Sequence, residues 1–265
     1  MALTIADLKT GAKLVFGNYG VGTDNHPISW LKTGRDNVFI SEFVLDILKF
    51  DNGERNNPNR ECHYYGNSNY ELSNILQFMN SYEDDWYNVT HEHDTPPGNP
   101  NGIHDPYGDY VLHPGFLHEF EDYELECIDG RIDLPTRANI LGTGFEARFP
   151  LFNRKGYRGK PCIDLICNKE NCGMYEGSFC EFWLRDIEGD AERVTVHYIG
   201  RSGVLNRAYP NTVLGMRPIC KLKPTTEVEL QTDGTYRVVP FAASKTRRSP
   251  KICTDEEFLT LMGLL

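Results

Sequence analysis

Four cysteines, Cys162, Cys167, Cys172 and Cys180, fall in one short stretch with Asn168, Asn171 and Gly173 among them, separated by four, four and seven residues. Clustered thiols are the raw material of a structural zinc centre, in which paired thiolates usually stand two to four residues apart so that both reach one tetrahedral ion. The spacing here is looser. A chain folded in a reducing cytoplasm otherwise keeps such cysteines as free, partly buried thiols, so the expectation is no cofactor, with zinc on the 162–180 cluster, in a metal-binding enzyme or sensor domain, as the alternative. His91-Glu92-His93-Asp94 offers a second set of ligand types, with His104, His113 and His118 downstream. It runs into Thr95-Pro96-Pro97-Gly98-Asn99-Pro100, an irregular loop without an element to hold ligands in place. Neither a Ser-His-Asp order, a phosphate loop nor a paired-carboxylate motif stands in persuasive context, so the chain is read as non-catalytic.

A chain of 265 residues with 40% hydrophobic and 12% aromatic content suffices to bury a substantial core. The abundance of Gly, Pro and Tyr (24, 15 and 14) favours short elements joined by turns and long loops over a helical bundle. The net charge of −11 argues against a nucleic-acid partner, because phosphate affinity comes from clustered Lys and Arg. The one basic run, Lys245 to Lys251, sits among Ser and Pro and reads as a solvated linker. Met1 to Leu8 lacks the basic start and apolar run of a signal peptide, and no stretch reaches the length of a membrane helix, so synthesis in a cytoplasm without membrane insertion is expected.

Lys13-Leu14-Val15-Phe16 and Ile28-Ser29-Trp30-Leu31 read as two opening strands with a turn between, and Val38 to Ser41 and Val44 to Leu48 as continuing the same sheet. Leu72, Ile75, Leu76 and Met79 at helical spacing predict a helix over Tyr70 to Met79, capped by Ser68 or Asn69. A second short helix is expected within Glu119 to Ile128. Ala138 to Leu141, Phe182 to Arg185, Arg193 to Tyr198 and Met216 to Leu222 read as strands. Val228 to Leu230 and Tyr236 to Val239 flank Thr232-Asp233-Gly234, a strong hairpin signal.

The fold class expected is therefore α+β, with mixed and twisted antiparallel sheets, two short helices and long loops. The expected division is a main domain over 1–225, a C-terminal hairpin over 226–243, and a linker with a short amphipathic helix over 244–265. In that last segment Thr254 and Glu257 have capping-box spacing, while Phe258, Leu261, Met262 and Leu265 share one helical face. A helix so short must pack on something, either its own domain or a neighbouring subunit.

An ordered series of segments adds a resemblance. Lys13 to Tyr19, Pro27 to Trp30, Tyr65-Gly66-Asn67, Leu72 to Ser81, Trp86-Tyr87, Pro114 to Leu117, Phe182-Trp183-Leu184-Arg185 and Gly215-Met216-Arg217-Pro218 stand in an order that resembles an uncharacterised family of phage and Gram-positive bacterial proteins. That family is similar to C-type-lectin-like domains, among them retroelement-diversified phage receptor-binding proteins and the formylglycine-generating enzymes. The resemblance covers roughly residues 10 to 225 and implies a C-type-lectin-like fold. It also implies a virion protein: a receptor-binding, fibre-tip or capsid or tail decoration module. Its partners would be other virion proteins and a host cell-surface glycan or protein, and it would be present as a homo-oligomer or in many copies.

Trp183, Arg185 and Arg217 read as framework, the tryptophan filling core and the guanidinium groups serving buried carbonyls or carboxylates. Ligand contacts are expected between the shared motifs, on Asp186, His197, Tyr198, Arg201, Asn206, Tyr209 and Asn211, residue types that supply rigid or adaptable contacts. Calcium-dependent sugar binding is not supported, because the chain has Trp-Leu-Arg-Asp followed by Tyr209-Pro210-Asn211 in place of a Glu-Pro-Asn-like loop followed by Trp-Asn-Asp. Oxidase chemistry would need a pair of cysteines late in the domain, where Cys220 stands without an evident nearby partner.

Overall fold

A computed structural model of the chain describes residues 2–21, 24–84, 86, 93, 110, 114–141, 149–153, 180–188, 195–200 and 204–240. The first half alternates strands with short helices: β1 (Leu3–Thr4), β2 (Lys13–Val21), β3 (Asp24–Lys32), β4 (Val38–Ser41), β5 (Asp46–Lys49), α1 (Arg60–Tyr65), α2 (Asn74–Met79) and α3 (Asp122–Leu125). There follow β6 (Ile128–Asp133), α4 (Arg137–Ile140), β7 (Phe182–Glu188), β8 (Thr195–Ile199), β9 (Leu205–Ala208), β10 (Val213–Met216), β11 (Ile219–Leu222), β12 (Glu227–Leu230) and β13 (Tyr236–Val238). The class is α+β, as expected from composition, but with four short α-helices among the described residues where two were expected.

An eight-stranded sheet runs β1-β12-β13-β2-β3-β4-β11-β6 and a five-stranded sheet runs β5-β10-β7-β8-β9. Both are mixed: β13 pairs with β2, and β10 with β7, in parallel, while the other pairings are antiparallel. Two expectations are corrected here. The strand after β4 does not continue its sheet, because β5 pairs with β10 in the second one. Met216 to Leu222 is likewise two strands: β10 lies in the small sheet and β11 in the large one, and Arg217-Pro218 carries the chain between them. A proline there costs no ladder bond, since its missing N–H falls at the crossover.

Core formation follows strand alternation and the apolar undersides of the helices. The main cluster gathers Phe16, Trp30, Phe39, Phe50, Phe78, Trp86, Tyr110, Phe116 and Trp183, and a smaller one gathers Leu31, Ile40, Val44, Ile140, Phe149, Phe182, Leu184 and Ile199. The predicted helix over Tyr70 to Met79 is split. Tyr70–Leu72 forms a 3-10 turn, and Ser73 then turns extended and caps α2 through its hydroxyl, which accepts from Leu76 N–H at 3.4 Å. Ala138 to Leu141 is corrected from strand to helix: Thr136 accepts from Asn139 N–H at 3.0 Å, while Asn139 Oδ1 accepts from Thr136 N–H at 2.9 Å, a reciprocal cap that starts α4.

The hairpin is found where Asp-Gly places it, with Gly234 at φ +82° and Asp233 Oδ1 accepting from Thr235 N–H at 2.9 Å. It is not an appendage: β13 lies against β2, and β12 against β1, inside the large sheet. Among the described residues no helix is long and apolar enough to cross a membrane. The expected C-terminal helix with Phe258, Leu261, Met262 and Leu265 lies outside the described residues.

Candidate functional site

The side chains brought together at one place on the surface come from α1 and from the turn between β9 and β10. α1 begins at Asn59, whose side chain accepts from Glu61 N–H at 2.9 Å, and ends at Gly66. Gly66 has φ +85°, and a Cβ on it would lie 2.8 Å from the Asp51 carbonyl oxygen, so only glycine fits. Cys62 is buried on the underside of the helix, which turns Tyr64 and Tyr65 outward beside the β9–β10 turn. That turn is held from below, where Pro210 O accepts from Phe50 N–H at 2.9 Å and from Asp51 N–H at 3.1 Å. It is held from the side by Asn211, whose backbone N–H donates to Tyr65 O at 2.9 Å and whose side-chain amide donates to Tyr64 O at 3.2 Å.

On this base Tyr209 stacks against Tyr65 with ring centroids 4.1 Å apart and planes 17° from parallel. His63 meets the edge of Tyr64 at 4.7 Å, and the Arg60 guanidinium lies 6.0 Å from the Tyr64 ring centre. Tyr64 is 58% exposed and Tyr209 43% exposed. Large aromatic rings at such exposure, clustered and hydrogen-bonded through their backbones, form a preorganised apolar platform with polar edges. Its rigidity comes from main-chain bonds, so a ligand would meet it with little ordering cost.

The seven residues expected to contact ligand fall in different places. Tyr209 and Asn211 belong to the platform. Asp186 accepts a hydrogen bond from Arg137 N–H, closing the first turn of α4. His197 is buried in β8, opposite Arg207 of β9. Tyr198 is half-buried with its ring edge toward Trp183 at 6.3 Å, and burial raises its phenol pKa. Asn206 is exposed and donates to Val204 O at 3.2 Å within its own turn. Arg201 lies outside the described residues. The residues that sequence reasoning left out are Tyr64 and Tyr65, whose segment Asn59 to Gly66 carries a cap at each end but no apolar periodicity to mark it as a helix.

Comparison with family models, with curated proteins and with solved structures returned no match.

The framework residues are placed as follows. Trp183 is fully buried and donates its indole N–H to Leu48 O at 3.0 Å. Arg217 is fully buried at the crossover between the sheets; it donates through Nε to Ser41 O at 3.1 Å and through Nη2 to Glu42 O at 3.3 Å, and its guanidinium lies 5.5 Å from the Phe182 ring centre. Arg185 is more exposed and faces the Asp133 carboxylate at 3.5 Å. Of the cysteine cluster, Cys180 is buried in the smaller core, while Cys162, Cys167 and Cys172 lie outside the described residues. Among the described residues no group of three or more His, Cys, Asp or Glu is placed to share a metal ion. His118 stands between two carboxylates, with Nε2 2.5 Å from Asp84 and Nδ1 2.9 Å from Glu119; His91, His104 and His113 are outside the described residues.

Proposed function

We propose that the chain is a non-catalytic adhesion module of a phage particle, built on a C-type-lectin-like scaffold, which holds a host-surface glycan on the Tyr64, Tyr65, Tyr209 and Asn211 platform. The observation that carries this reading is the exposed Tyr209 stacked on the half-buried Tyr65 beside the exposed Tyr64, all held by main-chain hydrogen bonds. A pyranose ring presents a flat face of C–H groups and a rim of hydroxyls, and a tyrosine platform offers the matching flat π face with hydroxyl and amide groups at its edge. The net charge of −11 favours a neutral glycan over a polyanion. The ordered segment resemblance supports the virion setting, with other virion proteins as assembly partners, and the buried placement of Trp183 and Arg217 supports their role as framework beneath a variable surface.

The test is binding of the purified chain to host cells and to arrayed neutral glycans. The expected result is saturable binding that falls at least about tenfold in Tyr64→Ala and in Tyr209→Ala, because aromatic anchors dominate such sites. Both variants should keep the wild-type melting temperature, since the rings are exposed. Undiminished binding by the two variants would overturn the platform as the site, and absence of the chain from purified particles by mass spectrometry would overturn the virion assignment.

A further inference from the structure

A second site of different character lies at the opposite end of β3 from its hairpin with β2, in a cavity of about 670 Å³ lined by Thr10, Lys32, Asp36, Asn37, Asp129 and Lys221. The volume admits a small-molecule ligand with room to spare. Two of its charges cancel within the wall, since Lys221 Nζ lies 2.6 Å from Asp129 Oδ2. Two others do not.

Lys32 is only 4% exposed, and its ammonium donates to Ile5 O and to Asn37 Oδ1, both neutral acceptors. An ammonium has three donors, so one remains without an oxygen or nitrogen acceptor, and the Phe39 ring centre lies 5.8 Å from Nζ. Among the described residues no carboxylate stands within ion-pair distance of it; Asp7 acts on it only from further away, and burial lowers its pKa. A buried cation without a bound counter-charge is expensive, and an anion entering the cavity would relieve that cost. Asp36 is the complementary case. It is exposed at the lip of the cavity, in the β3–β4 turn with φ +44°; no cation among the described residues pairs with it within ion-pair distance, and Lys221 acts on it only from further away. A dianion such as phosphate would gain from Lys32 but be opposed by Asp36 and Asp129.

We propose that this cavity binds a small zwitterion of the α-amino-acid type, its carboxylate on the Lys32 ammonium and its ammonium group toward Asp36. Thr10 and Asn37 supply neutral hydrogen-bonding groups along the wall. This inference is independent of the glycan platform, which is built from α1 and the β9–β10 turn.

The experiment is titration of the full chain, labelled with 15N-lysine, with glycine, acetate and methylammonium as separate probes, followed by the Lys32 Nζ resonance and by calorimetry. Glycine is expected to shift the Lys32 resonance and to bind at least about tenfold more tightly than either single-charge probe. Lys32→Met should abolish the response. Because that change also removes the tie to Ile5, Asp36→Asn is the second variant: asparagine tolerates positive φ and leaves the turn intact. It should weaken glycine at least about tenfold, leave acetate bound no more weakly and keep the melting temperature. Acetate binding as tightly as glycine, glycine binding unchanged in Asp36→Asn, or no response to glycine would each overturn the proposal.

Discussion

The indole N–H of Trp183 on β7 donates to the carbonyl oxygen of Leu48 on β5, 3.0 Å away, across the intervening strand β10. Two strands of the small sheet that do not pair with each other are therefore tied by one side chain, which also packs its ring edge-on to Phe50 at 5.6 Å and to Tyr198. Trp183→Phe removes the donor and part of the ring, leaving a buried carbonyl with a lost partner and a small void. The expected cost is about 2–4 kcal/mol, read from the denaturant midpoint at unchanged slope.

Arg217 is the second framework test. Arg217→Met leaves Ser41 O and Glu42 O without the donors that now reach them, for an expected loss of about 2–5 kcal/mol. Arg217→Lys should recover less than half of it, because one ammonium cannot reproduce the planar fork that serves two carbonyls while facing the Phe182 ring. Equal stability of the Lys variant and wild type in chemical denaturation would contradict this geometry.

Gly17 sits at φ +65° where the β2–β3 register shifts, and its N–H donates to the buried Glu124 carboxyl at 2.9 Å. A Cβ there would lie 2.3 Å from the Phe120 ring. Gly17→Ala is expected to cost about 2–4 kcal/mol, combining backbone strain with displacement of Phe120, and to lower the melting temperature measured by calorimetry.

The pair between Glu71 and Arg131 sets a pH dependence. Arg131 donates from Nη1 and Nη2 to the two Glu71 oxygens at 2.6 and 2.8 Å, and this hydrogen bonding lowers the Glu71 pKa. A carboxyl whose folded pKa lies below its unfolded value stabilises the fold above the ordinary glutamate value of about 4.3. That contribution is lost as the pH falls through the lowered folded value. With Glu71 at 47% side-chain exposure the effect is screened to about 0.2–1 kcal/mol. Glu71→Gln should match wild type in urea unfolding at the acid end and fall below it by that amount at neutral pH.

Particular elements show why some of this architecture is legible in the sequence and some is not. The β12–β13 hairpin is fully local: Asp233-Gly234 supplies both the positive φ and the side-chain acceptor, so the signal and its cause lie within a few residues. The opening β2–β3 pair is legible for the same reason. Ala138 to Leu141 misleads because a short apolar run fits either period, and the deciding information is the reciprocal Thr136 and Asn139 cap that starts the helix. Met216 to Leu222 looks continuous because apolar alternation persists through Arg217-Pro218, while the change of sheet is a tertiary event. The platform is half legible: Tyr209 and Asn211 stand out by type, but Tyr64 and Tyr65 join them through tertiary contacts, the Tyr65–Tyr209 stack and the Asn211 bonds, the amide that reaches Tyr64 spanning 147 residues of chain.

The parallel pairing of β13 with β2 has a consequence for biosynthesis. Leu14 and Val15 find their outer neighbours at Tyr236 and Arg237, so the centre of the large sheet has an open edge until those late residues have left the ribosome. Closure of that edge is a single, very long-range event of the kind that slows folding and leaves a strand edge open to stray pairing in the meantime. Chains truncated before residue 236 should accordingly accumulate as aggregates, and any need for chaperone help should fall on the interval between synthesis of β2 and arrival of β13.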